Sequence, residues 1–359
     1  RGWRRKGVVA MTVRVVDSRD RGSGAGVAGP MWAVTSYYNP NGYRRRRLNY
    51  KVFRDRLELP LLAIEWSPAG QFELSPGDAD ILIQIGGGDV MWQKERLLNL
   101  AIERLPDNCQ CVAWIDCDVV FERPGWARRA MRAMNDAPIV QLFDRVAHLL
   151  PVAEESVRHG ISWAQPQVDF EIIGAVRAYR EHPRWCTGGG EIPAFSVGTR
   201  GIRPAPGFAW AARRELLASH PLLDIWVIGG GDAAFAYAAL RETDHVIERH
   251  VLAPAHRAAY LERAQALADA ARGRVGHLEE RIFHLWHGDL DDREYRRRHE
   301  ILRAYDYDPA RHLKRAPSGA WAWDQAPGPL RSELADYFRR RREDGDAHAP
   351  AGPIGVANG

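Results

Sequence analysis

Two aspartates lie inside an apolar stretch of the chain. The stretch is VAWIDCDVVF, residues 112–121, with Asp116 and Asp118 at its centre. Its β-branched and aromatic residues predict a buried strand, in which side chains alternate and both aspartates share one face about 7 Å apart. Two like charges in a poorly solvated place repel each other, and a doubly charged cation between them would remove that cost. The alternative is that the strand ends near residue 116 and both carboxylates face solvent.

Another aspartate follows a run of three glycines. Residues 229–231 are all glycine, which permits unusual backbone dihedrals and close approach to a ligand. Asp232 then begins the segment DAAFAYAALRE, which predicts a helix whose first N–H groups favour a carboxylate. Asp232 is therefore either a helix-capping residue after a flexible loop or a general base at the edge of a pocket.

Two histidines occur in the segment FHLWHGD. His284 and His287 are three residues apart, beside a glycine and an aspartate. A site built of carboxylates and one imidazole suits Mn²⁺ or Mg²⁺ better than a closed zinc centre. The alternative is that both histidines are ordinary core or surface residues. The four cysteines form no Cys-x-x-Cys pair, which argues against a structural zinc site.

Strands and helices alternate along the first half of the chain. Strands are predicted near residues 31–36, 60–66, 78–90, 112–121 and 137–143, and helices near 43–59, 92–106 and 126–136. The second half is less regular, with helices predicted at 209–219, 232–242 and 260–272. This order predicts an α/β fold, a Rossmann-like, mostly parallel central sheet flanked by helices. Ligands bind beyond the carboxyl ends of such strands, where Asp116 and Asp118 lie.

Composition and charge exclude several classes of protein. The chain has 359 residues, 45% hydrophobic and 27% charged, which is ordinary for a globular protein. Residues 1–30 hold seven Lys or Arg against two Asp, a charge of +5, which leaves about −1 on the rest of the +4 chain. A nearly neutral body argues against a nucleic-acid-binding protein. We predict that residues 1–30 are a disordered basic leader, that folded structure begins near Met31, and that the last residues are disordered.

No apolar run is long enough for a transmembrane helix, and no signal peptide is recognised. Together with cysteines that fit a reducing compartment, this predicts a cytoplasmic protein. The segment ELADYFRRRR, residues 333–342, predicts a basic amphipathic helix that contacts the inner face of a membrane.

Taken in order, several segments resemble the inverting glycosyltransferases of the GT-A fold, of the broad family 2 type. They are AVTSYYNP with its following arginines, WQKERLLNLAIERLP, AWIDCDVVF, GFAWAARRELL, IGGGDAAF and HLWHGDLDDREYRRR. The resemblance spans residues 31–305 and includes galactosyl- and N-acetylgalactosaminyltransferases, which carry a Gly-Gly-Glu-Asp motif and a late metal-binding histidine. Gly231 stands where their glutamate would be, so their acceptor contacts do not all transfer to this chain.

The resemblance implies a division of the chain and a role for each candidate residue. Residues 31–150 would be the nucleotide-sugar-binding half, 151–305 the acceptor-binding and catalytic half of the same domain, and 306–359 a C-terminal extension, partly helical and then disordered. Asp118 would bind the metal, Mn²⁺ or Mg²⁺, with His287 completing the coordination and His284 as its substitute. Asp116 would contact the donor and the metal, and Asp232 would deprotonate the acceptor hydroxyl. The residues implied to reach the nucleotide-sugar donor are Thr35, Tyr37, Asn39, Arg44, Lys94 and Asn99.

The implied reaction moves a sugar from a nucleotide-diphosphate donor, a UDP-sugar, to a glycan or glycolipid, such as a bacterial surface polysaccharide. Two other functions remain open from the sequence. A glycoside hydrolase would use Asp116 and Asp232 as paired carboxylates. A non-catalytic protein on the same fold would bind nucleotide or sugar and leave both unchanged.

Overall fold

The computed structural model describes residues 13–17, 30–152, 156–157, 161–163, 165–186, 204–295 and 297–345. Its strands are β1 (Val13–Asp17), β2 (Met31–Tyr38), β3 (Leu61–Ser67), β4 (Ile81–Gly86), β5 (Cys111–Ile115), β6 (Val119–Phe121), β7 (Ile139–Gln141), β8 (Arg145–Leu149), β9 (Val168–Ile173), β10 (Ala209–Arg213), β11 (Val275–His277), β12 (Arg281–His284), β13 (Leu313–Arg315) and β14 (Trp321–Trp323). Its helices are α1 (Arg44–Arg56), α2 (Lys94–Glu103), α3 (Trp126–Ala133), α4 (Ala175–Glu181), α5 (Pro183–Cys186), α6 (Arg214–Ser219), α7 (Gly231–Ala239), α8 (Thr243–Arg249), α9 (Pro254–Ala271), α10 (Arg298–Ala304), α11 (Pro309–His312) and α12 (Gly328–Arg340).

The central sheet of the described chain has eight strands in the order β1-β4-β3-β2-β5-β10-β7-β11. Strands β4, β3, β2 and β5 are parallel neighbours, and β11 is parallel to β7. Strand β10 lies antiparallel between β5 and β7, and β1 is antiparallel to β4 at the edge. All the strands except β1 and β10 therefore run in one direction. The predicted α/β fold with a mostly parallel, helix-flanked sheet is confirmed.

Both faces of this sheet are buried. In β2, Trp32 and Val34 belong to one apolar core, while Met31 and Ala33 belong to another on the opposite face. Helices α2 and α9 cover the first face, and α1 and α3 cover the second. A strand buried on both sides needs apolar residues at consecutive positions, which explains why β2 and its neighbours show no polar alternation.

A second sheet, in the order β6-β12-β8-β9, packs beside the first and changes the interpretation of the aspartate segment. Strand β5 ends at Ile115, the chain turns at residues 117–118, and β6 begins in the second sheet. The prediction of one strand over 112–121 with both aspartates on one face is wrong. The Asp116 N–H donates to the Phe208 carbonyl at 2.8 Å, beyond the last ladder pair of β5 and β10, and the chain then leaves the central sheet. Asp116 and Asp118 thus lie in a crossover between two sheets.

The helix predicted over residues 209–219 is also wrong in its first half. Residues 209–213 form β10, and only 214–219 are helical. Alanine favours a helix, but the backbone of Trp210 is paired on both sides, opposite Trp114 of β5 and Gln141 of β7. Tertiary pairing outweighs a propensity of a few tenths of a kcal/mol per residue.

The predicted disordered leader contains an ordered segment. Residues 13–17 form strand β1, paired antiparallel with the edge strand β4, so folded structure begins before Met31. Three of these five residues are valines, which suit an extended edge strand. The rest of the leader, residues 1–12 and 18–29, lies outside the described residues.

The C-terminal segment is part of the core. The basic amphipathic helix predicted at its end is present as α12, but its apolar side chains are buried in the same core as α2: Leu330, Leu334, Tyr337 and Phe338. A membrane contact through this helix would therefore depend on its arginines alone. In the described part of the chain, no helix combines the length and the apolar character that crossing a membrane requires.

Phe338 tests whether α12 is integral to the fold. Its ring stacks on Trp92 at 6.4 Å and packs edge-on to Tyr38 at 5.8 Å. We expect Phe338→Ala to lower the free energy of unfolding by about 3–5 kcal/mol in guanidinium chloride, because it opens a cavity in the main core. The exposed Leu150→Ala should change it by less than about 0.5 kcal/mol. Equal effects of the two changes would show that α12 is not part of the cooperative core.

Candidate active site

A pocket of about 710 Å³ opens where the two sheets meet. Its wall is built from the crossover after β5, residues 204–208 before β10, the glycine loop before α7 and the segment after β12. The charged and imidazole side chains on the wall are Arg46, Lys94, Asp116, Asp118, His148, Asp232, His245, Arg249, His250, His284, His287, Asp291, Arg293, Glu294, Arg297, Arg298 and Arg341. The crossover aspartates, both candidate histidines and the candidate base therefore face one cavity.

One carboxylate and two imidazoles form a buried cluster on this wall. One ligand atom from each of Asp118, His284 and His287 lies within 4.8 Å of the others. His287 Nε2 is 2.9 Å from Asp118 Oδ2, and His284 Nε2 is 3.7 Å from Asp118 Oδ1. The Leu285 N–H donates to the Asp118 carbonyl at 2.9 Å, which fixes the crossover against the end of β12. The sequence left open which histidine lies next to Asp118, and in the structure both do.

The cluster suits a divalent cation. Asp118 is 8% exposed, and its buried Oδ1 has no hydrogen-bond partner among the described residues. An unpaired buried oxygen costs free energy that a bound cation would recover. Two imidazole nitrogens and a carboxylate oxygen are first-row transition-metal ligands. Asp118, His284 and His287 are thus the residues that could hold a metal.

The cluster is supported by contacts on its outer side. His287 Nδ1 lies 3.5 Å from Glu343 Oε2, and His284 Nδ1 lies 3.0 Å from His148 Nδ1. The His148 ring stacks on Phe170 at 4.3 Å. Partners on Nδ1 leave the Nε2 atoms of both histidines directed at Asp118, which is how outer contacts orient the imidazoles of metal sites.

Glu343 is itself held by two arginines. Arg46 Nη2 and Arg341 Nη2 each lie 2.9 Å from its Oε1. Burial would raise the pKa of Glu343, but Arg341 and Arg46 hold it well below its usual value, so the carboxylate is charged. The charged Glu343 carboxylate beside Nδ1 holds the His287 ring with its Nε2 directed at Asp118.

Burial sets the protonation of the cluster. It lowers the pKa of His284 well below the usual value and lowers that of His148 to about 3, so both imidazoles are neutral. For Asp118 burial acts in the opposite direction, but the contacts with His287 and then His284 outweigh it and lower the pKa below its usual value. A charged carboxylate beside the neutral imidazole of His284 is the protonation state that metal binding requires.

A second network contains Asp116. Lys94 Nζ lies 2.5 Å from Asp116 Oδ1 and 2.8 Å from Asp232 Oδ2, so one ammonium bridges two carboxylates. Burial lowers the pKa of Lys94, but Asp116 and Asp232 outweigh it and hold the pKa above its usual value. Burial raises the pKa of Asp116 to about 7, even though Lys94 opposes the shift. Asp116 therefore faces Lys94 and not the cluster of Asp118 and the two histidines.

Each glycine before α7 is needed by its surroundings. Gly229 and Gly230 have φ of +90° and +103°, which other residues rarely adopt. A Cβ on Gly230 would lie 2.8 Å from the rings of His250 and His299, and one on Gly231 would collide with the Glu95 carboxyl group. Gly230 is the N-cap of α7, so Asp232 does not cap the helix. Its carboxylate points to Lys94 and the pocket.

Several residues implied to bind the donor lie away from the pocket. They are Thr35, Tyr37, Asn39, Arg44 and Asn99. Thr35 donates to the Ile115 carbonyl at 2.7 Å, and Tyr37 donates to Glu73 at 2.7 Å. Side chains alternate along β2, so its pocket-facing residues are Ser36 and Tyr38.

The remaining three have structural contacts. Asn39 accepts from the backbone N–H of Tyr43 at 2.9 Å, just before α1. Arg44 is exposed on α1, and Arg46 lines the pocket instead. The Asn99 amide bonds both the N–H and the carbonyl of Leu222 at 2.9 Å. Of the implied donor contacts, Lys94 and Asp116 are the ones that line the pocket.

Sequence reasoning missed some of the residues around the cluster. Arg46 is one of four consecutive arginines, and Arg293, whose Nη2 lies 3.0 Å from His287 Nε2, follows the histidine segment closely. His148 lies beyond the strand predicted at 137–143, in a segment without any motif. Glu343 is the first residue of the tail predicted to be disordered, yet it is buried, and no local pattern marks it.

Comparison with known proteins gives distant likenesses in structure only. No protein-family model and no curated protein matches the chain. Glucosyl-3-phosphoglycerate synthase from Mycobacterium tuberculosis, solved with Mg²⁺ and uridine diphosphate, is similar at 11% identity and a TM-score of 0.35, over 82% of this chain and 87% of that one. S. aureus TarS 1–349 is similar at 11% identity and a TM-score of 0.32, over 86% of this chain and 71% of that one. Function is therefore inferred from the geometry of the site.

The contact between Gly231 and Glu95 can be tested by a double-mutant cycle. We expect Gly231→Ala to lower the free energy of unfolding by about 1–3 kcal/mol, because the new methyl group meets a buried carboxyl group. Glu95→Ala in the same chain should recover part of that loss, as coupled neighbours do. Gly77→Ala is the control, since no atom lies within 4 Å of its added Cβ. Strict additivity of the two single changes in urea unfolding would contradict the contact.

Proposed function

We propose that the chain is a metal-dependent, inverting glycosyltransferase of the GT-A type. It transfers a sugar from a UDP-sugar to a hydroxyl group of a glycan or glycolipid. The observation that carries the proposal is a single pocket whose wall holds both the buried cluster of Asp118, His284 and His287 and the carboxylate of Asp232. Residues 31–150 would form the donor side of the pocket and residues 151–305 the acceptor side.

The cluster suits the departure of a nucleoside diphosphate. A divalent cation held by Asp118, His284 and His287 would offset the negative charge that develops on the leaving diphosphate. Arg46, Arg293 and Arg341 line the same part of the pocket and are the residue type that binds phosphate oxygens.

Asp232 suits the role of the general base. It lines the pocket, and Lys94 fixes the direction of its carboxylate with contacts of 2.8 and 3.0 Å. It would take the proton of the acceptor hydroxyl as the acceptor oxygen bonds to the anomeric carbon and the bond from that carbon to the diphosphate oxygen breaks. One displacement from the opposite face inverts the configuration and needs no covalent intermediate.

The paired carboxylates favour transfer over hydrolysis of a glycosidic bond. A glycoside hydrolase places the glycosidic bond between its two carboxyl groups. The ammonium of Lys94 lies between Asp116 and Asp232, 2.5 Å and 2.8 Å from their oxygens, and fills that position. A hydrolase would cleave oligosaccharides without a nucleotide sugar, and a non-catalytic protein would bind UDP without forming product, so product analysis separates all three functions.

Metal binding tests the cluster. We expect wild-type protein to bind Mn²⁺ more tightly than Mg²⁺ in calorimetric titrations, because two imidazoles suit the softer ion. Asp118→Asn should weaken Mn²⁺ binding by about 10-fold to 100-fold. The exposed Asp136→Asn should leave Mn²⁺ binding unchanged. Mn²⁺ affinity that is the same in all three proteins would rule out a metal at this cluster.

Transfer tests the base. Nucleotide sugars are screened with Mn²⁺ for UDP release, and the anomeric configuration of the product is read by NMR. We expect Asp232→Asn to keep UDP affinity and to lose transfer by about 10²-fold or more, because acid–base catalysis contributes that much. Asp244→Asn, exposed on the next helix, is the matched control. Retained activity in Asp232→Asn, or a product of retained configuration, would overturn the mechanism.

A further inference from the structure

We propose that the pocket contains a second anion-binding position, formed by Arg298 beside the glycine loop at residues 229–231, and that the acceptor carries a phosphate or carboxylate group that binds there. This inference rests on the proposed function, which defines what an acceptor is. It concerns Arg298, which packs against Gly229 of the glycine loop, and names the chemical class of the acceptor.

Arg298 is buried and still faces the pocket. It is the first residue of α10 and is 8% exposed. Its guanidinium lies against the backbone of Gly229, where an added Cβ would be 3.2 Å from Nη1 and 3.4 Å from Nη2. The same group lies over the ring of Tyr295, 4.9 Å from its centre. Glycine at position 229 is therefore what allows the guanidinium to reach the wall of the cavity.

The charge of Arg298 has no counter-charge in the described part of the chain. Its Nη1 donates to Tyr337 Oη at 3.3 Å, and its Nε donates to His299 Nε2 at 3.4 Å. Both partners are neutral acceptors, since burial lowers the pKa of His299 well below its usual value. No carboxylate of the described residues makes an ion pair with Arg298. A buried cation without a counter-ion costs free energy, and a bound anion would remove that cost.

Two of the arginines beside the metal cluster differ from Arg298 in this respect, while the third, Arg293, contacts His287 Nε2 at 3.0 Å. Arg46 and Arg341 both contact the carboxylate of Glu343. The donor diphosphate is proposed to lie at that cluster, next to these groups. Arg298 therefore still lacks an anionic partner among the described residues once the arginines near the cluster are assigned to the donor diphosphate.

The position of Arg298 assigns it to the acceptor. Gly229, against which it packs, is three residues before Asp232, and both line the pocket. An acceptor that presents its hydroxyl to Asp232 extends along this loop. Burial lowers the pKa of His250 well below its usual value, so that neighbouring ring adds no charge. Glu294 on the same wall lies 3.6 Å from Arg340, which offsets its negative charge.

A guanidinium presents its N–H groups in a planar fork that matches the oxygens of phosphate and carboxylate groups. Nε of Arg298 and one N–H of Nη1 already have partners, so both N–H groups of Nη2 and the second N–H of Nη1 remain for a ligand. One charged hydrogen bond of this kind corresponds to about a 10-fold to 100-fold change in affinity.

The test measures binding of three sugars to the full chain saturated with UDP and Mn²⁺: glucose 6-phosphate, glucuronate and glucose. We expect the two anionic sugars to bind at least 10-fold more tightly than glucose in calorimetric titrations. Arg298→Gln should remove this difference and leave the affinity for UDP unchanged. Arg303→Gln, at an exposed position of the same helix, should keep the difference. Arg298→Lys keeps the positive charge in a smaller group, so it should keep part of the difference in affinity between the anionic sugars and glucose. This variant keeps the test decisive if Arg298→Gln fails to fold.

Two results would overturn the proposal. Equal binding of glucose and the anionic sugars would show that no anion position serves the acceptor. A loss of UDP affinity in Arg298→Gln as large as the loss for anionic sugars would assign the arginine to the donor. If UDP does not bind with Mn²⁺, the transferase assignment itself fails. Inorganic phosphate binding that Arg298→Gln abolishes would then leave the anion position standing and overturn its assignment to an acceptor.

Discussion

A buried carboxylate that must be compensated is the constraint on which the rest of the site depends. Asp118 is charged and almost inaccessible, and the groups that stabilise it come from distant parts of the chain. The end of β12 brings His284 and His287, and the segment after α12 brings Glu343 to the outer nitrogen of His287. Arg46 of α1 in turn neutralises Glu343. Four segments meet because each of these charges would cost several kcal/mol of desolvation free energy if it were buried without a partner.

The crossover between the two sheets lets neighbouring acids do different chemistry. Asp116 ends the pairing of the central sheet and faces Lys94, whereas Asp118, two residues later, faces the imidazoles of the second sheet. In one continuous strand both carboxylates would share a face and repel each other. The change of sheet separates the two aspartates into two networks. Asp116 has the ammonium of Lys94, and Asp118 has the candidate metal position. In the proposed reaction, the leaving group and the base would then be served by different networks on the wall of one cavity.

Residue chemistry could be predicted from the sequence, and side-chain direction could not. The cost of burying like charges indicated a cation beside the two aspartates, and the resemblance implied that His287 joins Asp118 and that Asp232 is the base. The resemblance also implied Thr35 as a donor contact, whereas Ser36 faces the pocket, because a sequence indicates a strand but not which of its faces meets the pocket. A shift of one residue exchanges the two faces. Glu343 carries no local signal, since its role exists only when α12 packs on Tyr38 and Trp92. The strand β10 was missed for the same reason, because pairing with two neighbours overrides the helix propensity of its alanines.

The packing of the glycine loop, residues 229–231, fixes the direction of the Asp232 carboxylate that follows it. Gly229 admits the guanidinium of Arg298, Gly230 admits two stacked imidazoles, and Gly231 admits the carboxyl group of Glu95. Each missing side chain is thus replaced by a group from another element, so the loop is closely packed beside the pocket although it consists of glycine. Glu95 fits this position because burial raises its pKa to about 8, which keeps it neutral near pH 7 beside a helix that already begins with an aspartate. A loop packed in this way holds the following carboxylate in one direction. A general base must be placed to within a fraction of an ångström of the proton it removes, so this packing is what makes Asp232 suitable for the role.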